Sequence, residues 1–159
     1  MQNEPKTTNL TVNPTARRNA RRYALQAMYQ WQMSANELSD IENEFLNYHI
    51  DKKLDLDYFK ELIHGIPKHL HEIDSTIQPF LTRPMEEVDP IELAILRVAC
   101  YELLKRLDVP YRVIINEALE LAKKFGSTEG FKFVNGILDN IHKELVQQGK
   151  MQKVEYKKV

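Results

Sequence analysis

From Ile91 to Leu104 the chain reads IELAILRVACYELL, a run whose apolar residues, wound at about 100° per residue, surround a helix on every side. Its three charges, Glu92, Arg97 and Glu102, do not merge into a polar stripe, and Ile95 falls between the two glutamates. A helix that is apolar nearly all round must be covered nearly all round, which predicts an all-helical protein built about this segment. Its start is marked by Asp89, which can cap free backbone N–H groups, and by Pro90 at the first helical position, with Glu86 and Glu87 just upstream. Asp108 and Pro110, after Leu107, mark its end.

A chain of 159 residues predicts one domain, able to bury roughly two-thirds of its unfolded surface without staples. The single cysteine, Cys100, excludes an intramolecular disulfide and a cysteine-only zinc site. It lies inside the apolar helix and suits a reducing cytoplasm. No apolar run approaches the ~18 residues of a membrane span, and the N-terminus lacks a signal-peptide core. The polar stretch 1–14 reads as a flexible arm, 15–146 as the folded domain, and the Lys-rich 147–159 as a disordered tail.

The formal net charge of −1 conceals an uneven distribution. Thr15 can cap a helix running to about Met33, in which Ala16, Ala20, Ala24, Ala27 and Trp31 share a core-facing arc. With Arg18 at zero, Arg22, Leu25 and Tyr29 fall within about 40° of it at helical spacing, and Arg17 and Arg21 lie beside them. The expected outer face is basic and carries an exposed tyrosine. No acidic residue occurs between Lys6 and Glu37, so the four guanidiniums repel one another unless an anion meets them. Arginine pairs with phosphate in a bidentate geometry, and Tyr29 adds a stacking surface; together they favour phosphate binding over a merely solvated face.

Further amphipathic helices follow. One begins near Asn36 with Leu38, Ile41, Phe45 and Tyr48 apolar. Another begins near Asp55 with Leu56, Phe59, Leu62, Ile63 and Ile66, is kinked or split at Pro67, and continues through Leu70, Ile73 and Ile77 to Pro79. His64, His69 and His71 diverge on a helix, since ligand pairs need spacings of three or four, and no metal site is expected. Beyond Pro110, Ile114, Ile115, Ala118, Leu121, Ala122 and Phe125 form a core arc. Opposite it lie Asn116, Glu117, Glu120, Lys123 and Lys124, with Glu120 and Lys124 paired by their spacing of four. Gly126 is a helix stop.

The last helix, from Gly130, has a core stripe of Phe131, Val134, Ile137, Leu138, Ile141 and Leu145. Phe133 lies off it, and Gly136 occupies a helix interior at a cost of about 1 kcal/mol relative to Ala. Either Phe133 packs on a neighbouring helix and Gly136 permits a close crossing, or Phe133 stacks on a base while Lys132 and Asn135 supply polar groups. There is no glycine-rich phosphate loop, nucleophile elbow or strand–helix alternation. The acid pairs Asp55 with Asp57 and Glu86 with Glu87 sit at helix starts, where capping accounts for them. No catalytic residue and no cofactor are expected.

Three segments in order, ARRNARRYALQAMYQWQ, VDPIELAILRVACYELLKRLDVPYRVIINEALELAKKFG and KFVNGILD, resemble the NusB family of bacterial transcription antitermination factors. The resemblance runs from about Ala16 to Leu145. It implies an all-α protein of about seven helices in two small helical bundles forming a single compact domain. It also implies binding to the boxA element of nascent ribosomal RNA, as a single strand, together with NusE, a ribosomal small-subunit protein. The pair would help assemble an antitermination complex on RNA polymerase. Carried over, the family's arginine-rich motif falls on Arg17, Arg18, Arg21 and Arg22, and its tyrosine on Tyr29. The implied RNA surface continues to Phe125, after Lys123 and Lys124, and to Lys132, Phe133 and Asn135, although periodicity alone places Phe125 in the core. The implied partner surface involves the central helix, where Glu92 and Arg97 are the candidates. Asn19 interrupts a commonly longer basic run, and the arm before Ala16 is longer than usual. Two other readings are an RNA-binding module of the kind fused to some ribosomal RNA cytosine methyltransferases, and a protein–protein scaffold whose basic face meets an acidic partner. Both a monomer and a homodimer fit the sequence.

Overall fold

The computed structural model describes residues 12–48 and 53–151. Most of the expected arm and tail therefore lies outside the described residues. Among these residues there are seven α-helices and no strand. They are α1 (Pro14–Met33), α2 (Leu38–Tyr48), α3 (Leu56–Lys68), α4 (Leu70–Ile77), α5 (Pro90–Lys105), α6 (Tyr111–Phe125) and α7 (Thr128–Gln147). None is long and apolar enough to cross a membrane.

The apolar segment behaves as its pattern requires: every residue of α5 from Glu92 to Leu103 is buried. The helix packs against α1 and α3 on one side and against α4, α6 and α7 on the other. It is thus the shared wall of two bundles, α1 to α3 and α4 with α6 and α7. The Asp89 side chain accepts from the N–H groups of Ile91 (2.9 Å) and Glu92 (3.2 Å), with Pro90 at the first position. The same cap-then-proline device opens α1 two residues earlier than periodicity suggests. Asn13, not Thr15, accepts from the N–H groups of Thr15 (2.9 Å) and Ala16 (3.0 Å), followed by Pro14. Pro67 is the penultimate residue of α3, and the expected split falls at His69. In α6 the ion pair forms between Glu120 and Lys123 (3.7 Å), three residues apart, not with Lys124.

The charges on α5 meet different surroundings. Glu102, whose side chain is 1% exposed, receives two bonds from the Arg21 guanidinium (2.8 and 2.9 Å) and one from the Tyr58 hydroxyl. Arg97 donates to both oxygens of Asp74 (3.0 and 2.9 Å) and to Gln32 Oε1 (3.0 Å). Glu92 lies against α7, its carboxylate occupying the space that a β-carbon at Gly130 would fill. Around the Tyr58 ring three guanidiniums converge, those of Arg17, Arg106 and Arg21, at 4.0, 4.9 and 5.5 Å from its centroid. Burial, and then the nearby Glu102 carboxylate, push the Tyr58 phenol far above its usual range. The phenol therefore stays a hydrogen-bond donor.

Gly136 is not needed for helix packing, because an added β-carbon would meet nothing within 4 Å. The close-crossing explanation for this glycine is overturned by that open space.

Two stability measurements follow from this packing. Arg21→Ala strands the Glu102 carboxylate in the interior and should lower unfolding free energy by about 3–5 kcal/mol in urea titrations. Gly136→Ala should raise it by about 1 kcal/mol, because helix propensity improves and no contact is lost.

Candidate nucleic-acid interface

The four arginines of α1 do not form one outer face. They divide into two i,i+4 pairs about 100° apart, one turned toward α3 and α5 and the other toward α6. Arg17 lies 3.4 Å from Asp55 and over the Tyr58 ring. Arg21 is buried, at 3% exposure, in its pair with Glu102. Burial opposes the Arg21 charge, but the hydrogen bonds and field of Glu102 prevail and raise its pKa above the ordinary value. The expectation that Arg21 sits on an accessible basic face is thereby corrected. Its direction on the helix is about 20° from that of Met28, which is fully buried.

Arg18 and Arg22 remain available. The Arg18 side chain is 61% exposed and forks onto Glu117 of α6 at 3.0 to 3.2 Å. That hydrogen bond, and then the carboxylate's charge, raise the guanidinium's pKa above its usual value. Arg22 is half-buried, its guanidinium 5.0 Å from the centroid of the Tyr23 ring. Arg18, Asn19 and Arg22 line one wall of a concavity whose other wall is Glu117, Glu120, Leu121, Lys123 and Lys124. Periodicity assigns Lys123 and Lys124 merely to the solvent side of α6. Only the packing of α6 beside α1 gathers four cations into one recess.

Further along α1 the same face turns aromatic. Tyr29, 37% exposed, lines an open trough with Gln26, Gln30, Met33, Ile91 and Phe125. Phe125 is half-buried at the last position of α6, where the helix stops at Gly126. It packs on the core with part of its ring and lines the trough as well, so core periodicity and surface exposure are reconciled at the helix end. Gln26 and Gln30 went unnoticed in the sequence, where isolated glutamines on an exposed helix face give no signal.

The remaining candidates occupy other ground. Lys132 and Asn135 are exposed on α7, while Phe133 is half-buried with the Arg83 guanidinium 5.7 Å from its ring centroid. None of the three lines either concavity. The Phe133 ring packs on the core while keeping part of its surface open, with the Arg83 guanidinium near one face. Arg97 and Glu92, expected at an edge, are buried at 8% and 7% exposure. Arg97 is a strut to Asp74 and Gln32, not a free edge charge. Burial, with Asp89 close by, raises the Glu92 carboxyl's pKa above its ordinary value, and Arg83 works in the opposite direction.

The family model described as the NusB family matches residues 18–143. The transcription antitermination protein NusB of Idiomarina loihiensis is 56% identical over 128 residues, 80% of this chain and 92% of that protein. The protein of the same name from Shewanella halifaxensis is 54% identical over 130 residues, 82% of this chain and 96% of its own. Among solved structures, T. maritima NusB superposes with a TM-score of 0.72 at 33% identity, covering 84% of this chain and 94% of that one. A crystal structure of the antitermination factors NusB and NusE in complex with dsRNA superposes with a TM-score of 0.74 at 26% identity, covering 81% and 97%. These relatives are named for a regulatory role and not a catalytic one. With its helices, its buried α5 and most of its length matched, the chain belongs to the NusB family of transcription antitermination proteins.

Proposed function

We propose that this protein binds the boxA element of nascent ribosomal RNA through the face shared by α1 and α6, does so jointly with NusE, and thereby helps assemble an antitermination complex on RNA polymerase. The observation that carries the reading is the continuity of a cationic recess and an aromatic trough along α1, both completed by α6. Arg18, Arg22, Lys123 and Lys124 meet backbone phosphates and fix register. Tyr29 and Phe125 offer flat surfaces to unpaired bases, and the amides of Gln26 and Gln30 offer donors and acceptors to base edges. Arg17 and Arg21 act behind this face by holding α1 against α3 and α5. Lys132, Phe133 and Asn135 extend the surface onto α7.

The related NusB–NusE complex is named with double-stranded RNA, whereas stacking on Tyr29 and Phe125 requires bases released from a duplex. A single-stranded ligand therefore fits the trough better than a helix of paired bases. For NusE, Glu92 is the candidate contact, since it lies in the first turn of α5 against α7 and a partner's cation would offset the burial of its carboxylate. The alternative of a pure protein scaffold shares this face, and the RNA titration with and without NusE separates the two readings.

Fluorescence anisotropy with labelled boxA-type RNA, a scrambled strand and a duplex, each with and without NusE, tests the proposal. Specific single-strand binding strengthened by NusE is expected; binding indifferent to sequence and to NusE would defeat it. Arg18→Ala with Arg22→Ala should weaken RNA binding and lower the magnitude of the salt slope by about 1.4, at about 0.7 per lost phosphate contact, while NusE binding persists. Tyr29→Ala should cost about 1–3 kcal/mol of RNA affinity with the salt slope unchanged, as expected for lost stacking.

A further inference from the structure

The best-placed phosphate-binding group of the recess is already paired within the chain. Arg18 gives its Nε and one terminal nitrogen to both oxygens of Glu117, the parallel two-pronged geometry in which arginine also grips a phosphate. The same two prongs cannot serve two anions at once. Glu117 also sits in the wall of the recess it shares with Arg18, Arg22, Lys123 and Lys124, so an anion entering there meets its charge directly.

We propose that Glu117 is an internal competitor for Arg18, and that a backbone phosphate of the RNA binds in this recess by displacing that carboxylate. This rests on the RNA-binding reading above and specifies one step of it. The exchange is feasible because the arginine side chain is 61% exposed, and exposed pairs hold weakly against solvent and salt. The Arg21–Glu102 pair, with side chains 4% and 1% exposed, cannot make such an exchange. Two neighbouring arginines on one helix thus form similar bidentate pairs with different fates. Glu117, at 13% exposure, is the more enclosed member of the pair, so it is the guanidinium side that is open to an incoming phosphate. Glu120 stands in the same rim but pairs with Lys123 at 3.7 Å, both side chains being about three-fifths exposed. It contributes charge to the recess without engaging Arg18 in a hydrogen bond.

The test measures boxA-type RNA affinity by anisotropy for the wild type, Glu117→Gln and Glu120→Gln, each repeated in an Arg18→Ala background, with thermal melts to show that each variant folds. Glu117→Gln should tighten binding about two- to fivefold, the range that loss of an exposed ion pair allows. That gain should shrink to the level of Glu120→Gln once Arg18 is absent. An unchanged or weakened affinity for Glu117→Gln, or an equal gain with and without Arg18, would overturn the displacement step and leave the RNA-binding reading standing. If Glu117→Gln does not fold, Glu117→Asp, which keeps the charge but retracts it by one methylene, should also tighten binding; failure to do so overturns the proposal. A wild-type protein that binds no RNA removes the reading and this step together.

Discussion

A carboxylate buried in the middle of a helix that is itself buried on all sides sets the terms for the rest of this molecule. Taking Glu102 out of water is affordable only with a cation and further donors in good geometry. Arg21 of α1 and Tyr58 of α3 supply them, so three helices must meet at one point with a fixed azimuth. The cluster then grows outward. Arg106 bonds Glu61 at 2.7 Å and Asp108 at 2.8 Å, and the Tyr101 hydroxyl donates to Glu61 at 3.0 Å. Burial and that bond push the Tyr101 phenol up to about 12. Arg17, Arg21 and Arg106 would repel one another around a single ring. Asp55, Glu102, Glu61 and Asp108 surround them and make the arrangement tolerable.

This polar centre explains why an arginine-rich helix does not present all its arginines to solvent. Helical spacing sends Arg17 and Arg21 along one line and Arg18 and Arg22 along another. The first line meets the carboxylates of the interior, the second meets the cleft beside α6. Internal pairing does two things here: it neutralises half the basic run, and it fixes the direction in which the other half points. In the proposed RNA reading, a change at Arg21 therefore acts through the placement of α1 and not through a lost contact.

The fold was readable because its strongest determinant is local. Fourteen residues without a polar stripe demand a central helix, and Asp89–Pro90 and Asn13–Pro14 mark helix starts by side-chain chemistry alone. Thr15 was preferred as the first cap because the apolar period begins at Ala16, yet a cap answers free N–H groups and ignores periodicity. The interface was half readable. Arg18, Arg22 and Tyr29 share a stripe, and a helical wheel shows it. Arg21 leaves that basic face because its position outweighs its charge: its direction is nearly that of buried Met28. Periodicity places Glu117, Lys123 and Lys124 only on the solvent side of α6, since nothing in one helix's pattern reveals which neighbour it will lie against; the family resemblance alone leads past the two lysines to Phe125. Phe125 divided the two kinds of reasoning because a residue at a helix end can lie on the core arc and still open onto a groove.

What makes the face a site is that neither wall belongs to the same bundle. α1 brings the guanidiniums, tyrosine and glutamines, α6 the lysines, the competing carboxylate and Phe125, and α5 lies between the bundles as their common support. Hydrophobic burial of α5 supplies the driving force for docking but is non-directional, and a helix apolar all round could rotate about its axis with little penalty. The charges at positions 92, 97 and 102 remove that freedom. Arg97 bonds Asp74 of α4 and Gln32 of α1, Glu102 bonds Arg21 of α1 and Tyr58 of α3, and the Glu92 carboxylate packs against Gly130 of α7. Two polar clusters and one packed carboxylate, pointing in different directions, favour a single rotation of α5 and so a single placement of α1 and α6 about it. The recess between them is therefore as well defined as the core beneath it, which is the condition for a short exposed ion pair such as Arg18–Glu117 to keep its position while remaining easy to exchange.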